Sequence, residues 1–161
     1  MITLYHGSNV EINEIDLSLC KNGKDFGKGF YLNPNYEQAR AMAQKAVRVT
    51  RQGLEIVNSF EFDDSLLSSP GDLNIKIFAD YSEQWAEFIV MNRKNKTDIP
   101  LHDYDIVIGP IADDSVGVQI RRYIQGYLPV ARLVEELRYH GDHAIQYFFG
   151  SERAVRLLNR I

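Results

Sequence analysis

The sequence holds one cysteine, Cys20. A lone thiol forms no intramolecular disulfide and leaves no cysteine cluster for zinc, which fits a reducing compartment. Cys20 sits in a polar stretch with no neighbouring histidine to activate it, so it reads as a bystander. Positive charge is also in deficit: 18 Lys and Arg against 22 Asp and Glu leave a formal net charge of −4. A general binder of nucleic acid or anionic membrane needs a cationic surplus, so both classes are disfavoured, although local basic clusters remain. Nowhere do about 18 apolar residues run together, and Met1-Ile2-Thr3-Leu4-Tyr5-His6 has no basic head. A soluble, cytoplasmic protein is expected. His102, His140 and His143 lack Cys/His ligand spacing and read as surface or turn residues, while Asp103, Asp105, Asp113 and Asp114 fit caps and turns rather than a ligand loop. No metal site is expected. There is no internal repeat, low-complexity tract or linker.

What is present is enough for one sizeable core: 161 residues, 45% hydrophobic and 25% charged, read as a single domain over 1–161. Ile2, Leu4 and His6 alternate with Thr3, Tyr5 and Gly7, the period of a strand, which places His6 on a face with two aliphatic side chains. Ile12 and Ile15 mark a clamped-down extended loop. Asn33 as cap and Pro34 as first residue open a helix that runs to about Gln52, with Ala39, Met42, Ala43, Ala46 and Val47 on one face. Strands are predicted over 54–62 and 75–78, and Ser82 caps a helix whose Trp85, Phe88, Ile89 and Asn92 share a face that docks on the sheet. The run 104–110 is continuously apolar, as in a central strand buried on both sides. Asp113, Asp114 or Ser115 caps a helix to about Ile124, Pro129 opens another, and Gly141-Asp142 turns into a strand over 144–149. Ser151 caps a last helix. The order gives an α+β fold with a mixed sheet, too irregular for a doubly wound one.

Asp25-Phe26-Gly27-Lys28-Gly29-Phe30-Tyr31 is the most unusual stretch. Two glycines one residue apart let the backbone take positive φ and admit something flat against it, and an aromatic pair then enters a strand. One reading is a binding floor on which a planar ligand lies against Tyr31. The other is a tight turn into a buried aromatic strand. His6, taken alone, is likewise either a ligand-binding imidazole or a satisfied histidine in an apolar strand.

Three stretches belong together: Tyr5-His6-Gly7-Ser8, then Gly27-Lys28-Gly29-Phe30-Tyr31 ahead of a helix with Gln38-Ala39, then Ile145-Gln146-Tyr147-Phe148. In this order they resemble the ADP-ribosyltransferase superfamily (the diphtheria-toxin and poly-ADP-ribose polymerase type). Its NAD site is built from a strand-borne His-Gly, an aromatic on a second strand and a hydrogen-bonding residue, usually Glu, on a later strand. Tyr104-Asp105-Ile106-Val107-Ile108-Gly109-Pro110 and the late Gln146-Tyr147 with Ser151-Glu152 extend the likeness to a bacterial branch and to nearly the whole chain.

The resemblance implies a single-domain ADP-ribosyltransferase-like split mixed β-sheet with flanking helices. It implies NAD as co-substrate, no metal, a macromolecular acceptor, and a role as a toxin encoded beside a small neutralising antitoxin partner. His6, Tyr31 and Gln146 are then the catalytic set. His6 hydrogen-bonds ribose hydroxyls of the adenosine half, Gly7 offers its backbone to the nicotinamide carboxamide, Tyr31 stacks on the nicotinamide ring, and Tyr36 closes the pocket from the helix. Ser8, Gly29, Phe30 and Lys28 complete the NAD-binding set, and Lys21, Lys24 and Arg40 are further cations for the pyrophosphate.

Gln146 departs from the superfamily pattern. Breaking the nicotinamide–ribose bond builds an oxocarbenium-like cation, the charge problem that carboxylates solve in glycoside hydrolysis. A carboxylate about 4 Å away contributes up to roughly 4 kcal/mol at an effective dielectric near 20. Glutamine forfeits most of that but still accepts from a ribose hydroxyl. Hence two function classes follow: a slow transferase, with Glu87 or Glu152 as outside candidates for the carboxylate, or a module that holds NAD or ADP-ribose without turnover. Read without the family pattern, Gln146 is a polar position on an edge strand.

Overall fold

The computed structural model of the protein describes residues 1–112, 114–140 and 143–161. The expected caps at Asp113, Asp114 and Ser115, the turn at Gly141-Asp142 and the side chain of His140 lie outside what is described. Among the described residues the chain forms seven strands and five helices, an α+β arrangement with two sheets.

The first sheet is antiparallel. β1 (Ile2–Ser8) pairs along its whole length with β3 (Ile56–Phe62), and β7 (Asn159–Arg160) adds to the far side of β3. The second sheet is mixed, in the order β2 (Phe30–Leu32), β6 (Ile145–Phe149), β5 (Ile106–Pro110) and β4 (Ile75–Ile77), with only β4 and β5 parallel. All five residues of β5 are buried, as expected from its uninterrupted apolar run.

Strand period explains how the core divides. Leu4, Phe30, Phe60, Phe62, Ile106 and Phe149 face one another in one cluster that joins the two sheets. Tyr31, Val107 and Phe148, the alternate residues, face the opposite way into a second cluster with Phe26, Trp85, Ile89 and Leu133. That second cluster is covered by α2 (Glu83–Lys94), α3 (Asp114–Ile124) and α4 (Val130–His140). Trp85 is fully buried, and its indole N–H donates to the Pro110 carbonyl at 3.1 Å, which pins α2 to the end of β5.

α1 (Tyr36–Thr50) starts two residues later than the sequence suggests. The cap is Asn35, whose side chain accepts from Glu37 and Gln38, while Asn33 accepts from the Asn35 N–H. Ala39 and Ala43 are buried against β1, but Met42 is exposed. The reason is close approach: a Cβ on Gly7 would stand 1.8 Å from the Ala39 carbonyl oxygen, so the helix backbone lies directly on the strand. Small residues alone fit that contact. The loop after β1 is held as expected, with buried Asn58 accepting from Ile12 N–H at 2.8 Å and donating to the Val10 carbonyl.

The C-terminal segment is fastened by a buried carboxylate. Asp105 receives both a forked Arg153 pair, at 2.8 and 2.5 Å, and the Ser151 hydroxyl at 2.6 Å, while Asn74 N–H donates from the β4 side. Asp105 is therefore an ion-pair anchor rather than the turn residue its sequence context suggested. α5 (Glu152–Val155) begins there, capped by Ser151 as expected.

Candidate functional site

While paired with β3, β1 is also bridged on its other side to the residue that follows β2. Tyr5 and Asn33 exchange two backbone hydrogen bonds of 2.8 Å, the one isolated bridge among the described residues. The next residue, His6, reaches the Tyr31 carbonyl with Nδ1 at 2.7 Å. A carbonyl only accepts, so Nδ1 carries the proton and Nε2 remains an acceptor in the neutral ring. The imidazole stacks on Phe30, with ring centres 4.4 Å apart and planes 26° from parallel. Burial pushes its pKa below the ordinary histidine value, against the opposing pull of the Tyr31 bond, so the ring is neutral at pH 7.

Tyr31 points to the opposite face of β2 from Phe30. Its hydroxyl donates to the Gly27 carbonyl at 2.7 Å and accepts from Phe26 N–H at 2.9 Å. Residues 25–29 thus fold back over the ring, which packs against Phe26 and edge-on against Phe148 at 5.2 Å. Burial holds the phenol well above its usual pKa, so it stays protonated. The two glycines do different jobs. Gly27 has φ of 99°, but Gly29 does not take positive φ. A Cβ on Gly29 would lie 2.3 Å from Phe148 Cε2, so the flat group admitted against it is the protein's own phenyl ring.

Gln146 sits on β6, an interior strand between β2 and β5, which removes the edge-strand reading. The β2–β6 register pairs Tyr31 with Phe148 and Leu32 with Tyr147, so one step further Gln146 comes level with Asn33. It is then the diagonal neighbour of Tyr31 on the same face, about 7–8 Å away in such ladders. Its amide Nε2 donates to Asp25 Oδ2 at 2.9 Å. Asp25 in turn accepts from Arg93 Nε at 2.7 Å and Ala112 N–H at 3.4 Å, and the same guanidinium donates to the Ala112 carbonyl at 2.9 Å. A carboxylate does stand beside position 146, and it is Asp25. Glu87 and Glu152 are exposed, on α2 and at the start of α5, and neither hydrogen-bonds Gln146. Asp25 opens the glycine stretch, and only the fold-back of 25–29 carries it to β6.

The remaining site residues fall in different places. Ser8 Oγ accepts from Val10 N–H and closes the turn after β1. Phe30 is 5% exposed and serves as the platform beneath His6. Tyr36 is exposed at the start of α1, edge-on to Tyr5 at 5.4 Å. Lys28 pairs with Asp98 at 3.3 Å, and Arg40 pairs with Glu37 on its own helix. Lys21 and Lys24 are exposed on the loop before Asp25.

An open hollow of about 350 Å³ is lined by Asn33, Asn35, Gln38, Ala144 and Ile145 among others, but not by His6, Tyr31 or Gln146. A tighter one of about 170 Å³ lies toward the opposite end of β6, around Gly27, Lys28, His102 and Gly150. His102 closes it from within. Its Nε2 donates to the Phe26 carbonyl at 2.6 Å and its Nδ1 accepts from Tyr104 N–H at 3.1 Å, so it is a clamp and not the surface histidine expected. Among the described residues no group of His, Cys, Asp and Glu is arranged to hold a metal ion, and no helix is long and apolar enough to cross a membrane.

In class this is an α+β protein in which the His6 ring lies on the Phe30 face of β2, while the Tyr31 ring and the Gln146–Asp25 pair lie on the opposite face. The chain belongs to the family described as "Protein of unknown function (DUF3990)", whose model matches residues 2–159. No curated protein and no solved structure matches the chain.

Proposed function

We propose that the protein binds NAD where β1, β2 and β6 meet, and transfers ADP-ribose to a macromolecular acceptor with release of nicotinamide. The fold is then a split sheet of the ADP-ribosyltransferase type, which divides beside the bridge at Tyr5 and Asn33. The observation that carries the reading is the grouping of distant residues around the end of β2: His6 bonds the Tyr31 backbone at 2.7 Å from the Phe30 face, and Gln146 is the diagonal neighbour of Tyr31 on the other face, so the dinucleotide would pass around the strand end.

In this reading Nε2 of His6, the free acceptor of a neutral ring, takes a ribose hydroxyl. Gln146 takes the hydroxyl of the other ribose through Oε1, and Tyr36, exposed at the helix start, closes over the nicotinamide side. The C–N bond to nicotinamide breaks with its electron pair on the leaving base, and the acceptor's nucleophile adds to the ribose carbon and gives its proton to solvent. A neutral amide does little for the cationic transition state. Loss of a carboxylate there, worth up to roughly 4 kcal/mol, corresponds to about a thousandfold in rate, so turnover is slow. The resemblance that motivates the reading also places a small antitoxin partner beside such a protein.

A second reading, a module that holds NAD or ADP-ribose without turnover, is favoured by one feature: the Tyr31 hydroxyl and the Gln146 amide nitrogen are already committed to protein partners. Nicotinamide release from NAD, measured for wild type, His6→Ala and Gln146→Glu, separates the two. Slow release by wild type that His6→Ala abolishes supports the transferase. Binding of NAD with no release by wild type supports the module, and no NAD binding at all defeats both.

A further inference from the structure

A carboxylate has no proton to give at neutral pH, so whatever faces Asp25 must be a donor. Gln146 meets that demand by turning its NH₂ toward Asp25 Oδ2, 2.9 Å away. The trigonal amide then has its oxygen on the other side of Cδ, and among the described residues nothing donates to Oε1. Asp25 is itself fixed, by Arg93 Nε at 2.7 Å and by Ala112 N–H, which sit on α2 and just past β5. Orientation therefore runs from Arg93 to Asp25 to Gln146. Of the two ways an amide can be turned, only one is open here.

We propose that Asp25 is a positioning residue that locks the Gln146 amide with its oxygen presented to the ligand, and that this is why position 146 carries an amide and not a carboxylate. The proposal rests on the NAD-binding reading above and deepens it. A glutamate at 146 would put two carboxylates at hydrogen-bond distance, a repulsive contact that turns the new side chain away or forces a proton between them. An asparagine at 25 has the reverse effect. With Arg93 holding its carbonyl, its NH₂ takes the place of Oδ2, facing Gln146 and giving up the long 3.4 Å bond from Ala112 N–H, and the Gln146 amide flips to present donors where it had an acceptor.

The two positions thus form one donor–acceptor pair whose polarity can be exchanged. In the double variant Asp25→Asn with Gln146→Glu, the asparagine NH₂ donates to the carboxylate at 146, whose second oxygen again faces the ligand as an acceptor.

The test is NAD affinity by titration calorimetry on wild type, Asp25→Asn, Gln146→Glu and the double variant, alongside the side-chain amide signals of Gln146 in ¹H–¹⁵N spectra without ligand. The expected result is weaker binding by about tenfold in each single variant and recovery to within about threefold of wild type in the double, the coupling characteristic of contacting residues. The Gln146 amide signals should shift strongly in Asp25→Asn, with the fold intact by circular dichroism. Two single-variant losses that merely add in the double overturn the proposal, as does unchanged affinity in Asp25→Asn. If a single variant does not fold, recovery of both folding and NAD binding in the double supports the pair, and an unfolded or non-binding double overturns it. Wild type that ignores NAD while its Gln146 signals respond to Asp25→Asn defeats the NAD reading, and the ligand role of Asp25 with it, but leaves the Asp25–Gln146 contact standing.

Discussion

The imidazole of His6 and the backbone carbonyl of Tyr31 are joined by a 2.7 Å hydrogen bond, next to the Tyr5–Asn33 backbone bridge between the two sheets. Burial lowers the His6 pKa, and His102 is lowered for the same reason. For both rings the unfolded chain binds protons more readily than the fold does. Their contribution to stability is complete above the unfolded value near pH 6.5 and is lost as pH falls below it. Thermal melting should therefore drop between pH 7 and 5. In His6→Asn the drop should be smaller but present, because His102 still contributes; an unchanged pH profile contradicts the assignment.

Gly7 and Gly71 should behave oppositely on substitution by alanine. At Gly7 the new Cβ meets the Ala39 carbonyl oxygen at 1.8 Å and the Ala43 nitrogen at 2.6 Å, so α1 must lift from β1. A loss of about 3 kcal/mol or more is expected, at the upper end of overpacking costs. At Gly71, with φ of 58° and open space around it, only the left-handed backbone is penalised, by roughly 1 kcal/mol. Urea unfolding of the two variants measures the difference.

The sequence made some of this legible and not the rest, for reasons that can be given residue by residue. Elements whose period matched their burial were readable: the apolar run of β5, the alternation of Leu4 and His6 on β1, and the face of α2 bearing Trp85 and Ile89. The two-residue β7 carries too little pattern to be seen, and Asn35 took the cap expected of Asn33 because the chain turns once more after β2. Gly7 and Gly29 drew attention as ligand contacts, but both have an internal neighbour filling the space, α1 in one case and the Phe148 ring in the other. Asp25 was in plain view as the first residue of the glycine stretch. Its meeting with Gln146 and Arg93 depends on a chain reversal that local spacing does not encode.

Removing the anchor at the C-terminal segment should be costly and acid-sensitive. Arg153 beside it holds the Asp105 carboxyl down to about 2, helped by Ser151 and Asn74. A depressed carboxylate stabilises the fold fully above its unfolded pKa, near 3.8, and the contribution fades as pH falls toward 2. Arg153→Met takes away the cation that faces Asp105, while Ser151 and the Asn74 N–H remain, so stability falls by an amount that the solvent exposure of the guanidinium moderates. Denaturant unfolding at pH 7 should show that loss, and at pH 2 the variant and wild type should converge.

Tyr36 offers a test of the ligand side that leaves the core alone. It is half-exposed and touches Tyr5 edge-on, so Tyr36→Ala should cost less than about 1 kcal/mol in stability. NAD affinity should fall about tenfold if the ring closes over bound nicotinamide. Equal affinity in calorimetric titration removes Tyr36 from the site.

The most direct measurement is a crystal structure of the protein soaked with NAD. The dinucleotide should span the end of β2, with one ribose hydroxyl on His6 Nε2 and the other ribose within hydrogen-bond distance of Gln146 Oε1, whose NH₂ still faces Asp25. NAD seated in the hollow around His102, or density nowhere near the bridge between Tyr5 and Asn33, contradicts the proposed site.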